Sequence, residues 1–193
     1  MPLSRAAPRD HIHTRDIRCR GFRRRDGLWD IEGSLTDTKT YSFDNQDRGG
    51  IASGEPIHAM QIRLTLDDDL TIKAAEAATD AGPFHICGAI VPVFAALVGE
   101  QIGPGWRKSA LEKMGSVHGC THLTDLLLGP VTVTAMQTIA AGRRKRESGN
   151  AGGRPALIDS CHAFASDGPI VRRQWPDFYT GDNKVKAKDC DSD

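Results

Sequence analysis

A chain of 193 residues with 25 Lys plus Arg against 25 Asp plus Glu has no net charge, which excludes a general basic coat for nucleic acid, and its length suits one ordinary domain with tails. Hydrophobic residues at 39% suffice for one core, and the longest apolar stretch, around Ile86 to Val98, is broken by Gly88 and Pro92 and falls short of a membrane span. Five cysteines without a Cys-x-x-Cys, and a start without an apolar leader, point to a reducing cytoplasm.

Residues 1 to 26 carry eight arginines against three aspartates, so 1–27 reads as a basic N-terminal arm. Trp29, Ile31, Gly33 and Leu35 then alternate with Asp30, Glu32, Ser34 and Thr36, the period of a half-buried strand. From His58 the alternation is cleaner: Met60, Ile62, Leu64 and Leu66 share one face, and His58 falls in the same phase. Asp67-Asp68-Asp69 predicts a turn, and Leu70, Ile72 and Ala74 open a third strand.

After Pro83 the period becomes helical, with Ile86, Ile90, Val93, Phe94 and Leu97 on one side. A short helix is expected over Trp106 to Met114. A last one begins near Cys120-Thr121, buries Leu123, Leu126, Leu127 and Val131, and runs to about Ala140 with a kink at Pro130. The expected fold is α+β, a three-stranded antiparallel sheet covered on one face by C-terminal helices. The core domain spans 28–142. Residues 143–193 form a linker, opened by Arg143 to Arg146, and a C-terminal segment packing on the core with a frayed tail.

Histidines and cysteines gather at element ends. His58 starts the second predicted strand; Asp80, His85 and Cys87 lie in the turn into the first helix; His118, Cys120 and His122 surround the start of the last helix. Each has a bland alternative: Cys120 as a small buried apolar residue, His122 and Asp125 as a surface pair, His58 as a hydrogen-bonded core histidine. The N-terminal arginines, Arg15 among them, suit bidentate anion recognition, and Arg20 and Arg24 are the expected substrate-binding ones, with Cys120 beside them. Six percent aromatic residues without a stacking series argue against RNA or single-stranded DNA.

The run Glu55-Pro56-Ile57-His58 through Leu66, the turn with Cys87-Gly88-Ala89-Ile90, and Gly119-Cys120-Thr121-His122-Leu123 resemble the core of iron–sulfur cluster scaffold proteins of the IscU and NifU type. That resemblance implies an IscU/NifU-like core over about 55–140 with N- and C-terminal extensions. In it His58 stands where the family's first cysteine is, Asp80 and Cys87 approximate the next two ligands, and Cys120 matches the third cysteine with Gly119 replacing the family's histidine. A second resemblance rests on Thr14-Arg15-Asp16-Ile17, Gly21-Phe22-Arg23-Arg24, Asp26-Gly27-Leu28-Trp29-Asp30 and Asp37-Thr38-Lys39. These strings look like a proteobacterial family of unknown function that keeps company with aromatic-compound catabolism, which implies a small phenolic substrate.

Together these readings favour a small cytoplasmic enzyme, a cofactor-independent lyase or hydrolase on an aromatic substrate. His58 and His122 act as base and acid, and Asp80 or His85 orients one of them. The rival is a Zn or iron–sulfur module on His58, Asp80, Cys87 and Cys120; a third reading is a non-enzymatic partner protein. No nucleic acid or membrane is expected as a partner, and a homo-oligomer is allowed. His58, Asp80 and Cys120 are expected to meet around one cavity.

Overall fold

The inward alternation of Trp29–Lys39 and His58–Leu66 builds the centre of a four-stranded antiparallel sheet in the computed structural model, which describes residues 3–147, 153–155 and 157–181. The strands are β1 (His13–Arg23), β2 (Trp29–Lys39), β3 (His58–Leu66) and β4 (Ile72–Ala81), in sheet order β1-β2-β3-β4. The expected count of three is corrected by β1. An arginine-rich stretch within 1–27 pairs along its full length with β2, from His13 opposite Lys39 to Arg23 opposite Trp29. Being an edge strand, β1 can expose most of its side chains, so its charge hides the two-residue period.

Each hairpin is set by its turn. Gly27 takes a left-handed conformation (φ 89°) between β1 and β2, and Asp26 Oδ1 accepts from the Leu28 N–H. Between β3 and β4, Asp67 Oδ1 accepts from the N–H groups of Asp69 and Thr71, each at 2.9 Å.

The segment after β4 is a 3₁₀ coil over His85–Leu97 rather than the predicted α-helix, with Pro92 inside and Phe94 and Leu97 as its buried residues. α1 is Trp106–Met114, as expected. The last helix has three parts: α2 (Thr121–Leu126), a π-helical turn (Leu127–Val131) and α3 (Thr132–Glu147). Pro130 has no N–H to give, and the chain absorbs it by widening one turn. Thr132 Oγ1 donates to the Leu127 carbonyl at 2.7 Å and accepts from Trp106 Nε1 at 3.0 Å.

Thr121–Ala140 is long and apolar enough to cross a membrane by length and composition, but Leu123, Leu126, Leu127, Val131, Ala135 and Ile139 are fully buried in the same core as the inner sheet face. Close approach of helix and sheet depends on small sheet residues. A Cβ on Gly33 would stand 2.4 Å from Val131 Cγ2, and one on Gly21 would stand 2.1 Å from Thr138 Oγ1.

The chain forms two compact units, Met1–Arg146 and Glu147–Asp193. In the second, Asp159 Oδ1 accepts from the Ser166 N–H, α4 (Pro169–Gln174) follows, and Phe164 and Trp175 meet ring to ring. The middle of the expected linker and the expected frayed tail, 148–152 and 182–193, lie outside the described residues, as do the side chains of Arg143 to Arg146.

Gly33→Ala should therefore cost at least the 1–3 kcal/mol or so of an overpacked core, read as a lower urea midpoint at unchanged slope, while Gly54→Ala, in open space, should cost only its backbone strain.

Candidate active site

Strand register alone assembles the site. On the helix-covered face, Arg15 of β1 lies directly opposite Asp37 of β2, and Asp37 directly opposite His58 of β3. These three form a polar row at one end of the sheet, next to the apolar row Ile17, Leu35 and Met60. Asp37 continues the inward phase of Ile31, Gly33 and Leu35, so its carboxylate is carried into the core and is only 1% exposed.

A buried carboxylate must be answered by donors. Arg15 donates Nε to Oδ1 and an outer guanidinium nitrogen to Oδ2, both at 2.7 Å, a bidentate grip. His58 Nδ1 lies 2.9 Å from Oδ2, and His13 Nε2 lies 3.2 Å from Oδ1. Burial opposes ionisation of Asp37, yet Arg15 and His58 outweigh it and hold the carboxyl below its usual range. An ionised carboxylate can only accept, so Nδ1 of His58 is the donor, which leaves Nε2 as the nitrogen not engaged by Asp37.

His122 comes from the first turn of α2 and stacks on His58, ring centroids 3.9 Å apart and planes 33° apart. Its pKa is lowered by burial first, then by His58 and Arg15, against the opposing carboxylates Asp37 and Asp125. The direction matches what a helix start predicts, but burial is the main cause. Cys120 Sγ is 3.9 Å from His122 Nδ1 and 4.0 Å from Met60 Sδ. Gly119 makes this entry into the helix feasible, since a Cβ there would fall 1.8 Å from the Met114 carbonyl oxygen. Opposite Met60 on β4, the Thr79 hydroxyl is buried and has no hydrogen-bond partner among the described residues.

The remaining expected residues lie elsewhere. Asp80 accepts from Gln61 Nε2 at 2.7 Å, and Gln61 is on the uncovered face with Arg63, so Asp80 does not join His58 and Cys120. His85 is exposed at the start of the 3₁₀ coil, with its backbone N–H held by Asp47 Oδ2 at 2.7 Å. Cys87 packs against Gly82, where an added Cβ would come within 2.7 Å of its own Cβ. Arg20 pairs with Glu32 on the uncovered face, and Arg24 binds Asp26 at the far end of the sheet. Arg15 takes the carboxylate-clamping role, and the carboxylate it clamps belongs to this chain. Phase was the signal for Asp37: an acid at the inward position of an alternating strand.

Asp37, His58 and His122 each offer a ligand-type atom, all within 4.8 Å of one another. Two features of this arrangement oppose a shared ion. The carboxylate already bonds to three nitrogens with a fourth, His13 Nε2, at 3.2 Å, and stacked imidazoles do not aim their in-plane lone pairs at one point.

The model of the family described as Protein of unknown function (DUF2889) matches residues 13–137. The chain belongs to this family. The DUF2889 match runs from the first residue of β1 into α3, and so includes His13, Arg15, Asp37, His58, Cys120 and His122. No curated protein and no solved structure matches the chain.

Acid should destabilise this DUF2889 domain in two stages. The folded pKa of His122 is lowered, so its contribution is present above about 6.5, the value of the unfolded chain, and is lost as pH falls from there through the folded value. The Asp37 contribution is present above about 3.8 and lost below it. Urea midpoints between pH 7.5 and 5 should fall less steeply for His122→Gln than for the parent chain; an unchanged slope would show that His122 is not held neutral.

Proposed function

We propose that the chain is a small cytoplasmic enzyme, a cofactor-independent lyase or hydrolase acting on a phenolic substrate by general acid–base catalysis at His58 and His122. The observation that carries this reading is the bond between His58 Nδ1 and the buried, Arg15-clamped Asp37. It fixes ring orientation and tautomer, leaves Nε2 as base, and stabilises the imidazolium formed when Nε2 takes a proton.

His122, kept neutral by burial, stacks on that ring and is poorly able to charge while His58 is charged. That arrangement suits abstraction by His58 Nε2, with the N–H of His122 as the donor. With side-chain exposure of 14% at His58 and 46% at His13, the row is reachable from its His13 side. The aromatic substrate class rests on the resemblance to a family associated with aromatic catabolism.

The cluster within 4.8 Å supports a second reading, a metal centre on Asp37, His58 and His122. It requires His122 to turn out of the stack and Asp37 to give up donors. The ligand set implied by the scaffold-protein resemblance is less favoured, because Asp80 is bonded to Gln61 on the other face.

A panel of phenolic acids and alcohols tests the first reading. On any substrate turned over, His58→Ala and His122→Ala should each lower kcat by about 10² to 10⁴, Cys120→Ala clearly less, and Asp80→Asn and His85→Ala hardly at all. Loss of turnover on Cys120→Ala with His122→Ala nearly intact would mean thiolate catalysis instead. Elemental analysis of the protein purified without chelator should show no stoichiometric Zn or iron; one tightly held ion per chain, lost in His58→Ala, would favour the metal reading.

A further inference from the structure

Away from the histidine pair, a groove of about 930 Å³ runs between α1 and the π turn. Pockets that take small organic ligands span roughly 300 to 1,000 Å³ and are mostly apolar with a few placed polar groups. Trp106, Leu111, Leu128 and Met136 give this one its apolar lining, and Leu111 and Met136 are 40% and 42% exposed.

The charged lining residues are Arg107, Lys108 and Glu112. Glu112 stands 3.9 Å from Lys108, and Arg107 has no acidic partner among the described residues. Both cations lie in the first turn of α1, where the helix's own partial positive charge already stands and no acidic residue offsets it. An apolar trough with an unneutralised guanidinium at its rim is complementary to a molecule with an apolar body and one anionic group. The groove contains none of the residues around Asp37, so this site is independent of the proposed chemistry.

We propose that the groove beside α1 binds an amphipathic organic anion, an apolar or aromatic body against Trp106, Leu111 and Met136 with its carboxylate or sulfonate on Arg107. Guanidinium suits this task, since it stays charged and grips a carboxylate with two donors.

Titration of the full chain with 1-anilinonaphthalene-8-sulfonate, followed by displacement with decanoate, tests the site. Saturable binding of one probe per chain is expected. Arg107→Glu should weaken it about tenfold or more, Arg107→Lys much less, and Met136→Gln and Leu111→Gln severalfold, with circular dichroism showing each variant folded. Probe binding that ignores all four substitutions overturns the proposal. So does a self-association, seen by sedimentation, that Met136→Gln abolishes while no saturable anion binding exists, because the groove would then hold a second copy of the chain.

Discussion

Asp37 is the constraint around which one end of this domain is arranged. A carboxylate at an inward strand position is costly unless donors surround it, and removing one partner of such a buried pair costs about 3–5 kcal/mol. Here the donors come from both neighbouring strands, Arg15 on β1 and His58 on β3, with His13 of β1 close by. The acid thereby pins the edge strand to the sheet's centre at the end where β1 begins, and fixes the orientation of the His58 ring. Fold and site share a single electrostatic anchor.

Helix placement supplies the other half. Gly33 and Gly21 remove two Cβ atoms from the inner sheet face, which lets the last helix settle close enough for Val131 and Thr138 to fill their places. With the helix body seated there, its first turn hangs over the polar row and delivers His122 onto His58. Gly119 clears the entry to that turn. Small residues far from the chemistry therefore set the distance between the two rings.

Much of the fold was legible because β2, β3, α1 and the last helix carry clean periods. β1 was not, because an edge strand that leaves most of its side chains exposed has little reason to alternate, and eight arginines in the first 26 residues look like an arm. His58 and His122 were legible as candidates from their positions at element ends. Asp37 was not, although its phase marks it, since its partners lie 21 and 22 residues away and only strand register brings them opposite. Asp80 misled for the same reason: nearness to a turn in sequence says nothing about which side of a sheet a side chain takes.

The widened turn at Leu127–Val131 also governs angular phase along the helix. Buried positions 127, 131, 135 and 139 recur every four residues, and at about 3.6 residues per turn such a stripe creeps around an α-helix by roughly 40° at each step. One slack turn winds that creep back, so that the residues before and after Pro130 point at the same sheet. A chain of the same length that wound this turn as regular α-helix would rotate its two ends against each other by about 100°, the angle of one residue. The core could keep Ala135 and Ile139 in place or His122 over His58, but not both, which makes this local irregularity the clock that times the site to the fold.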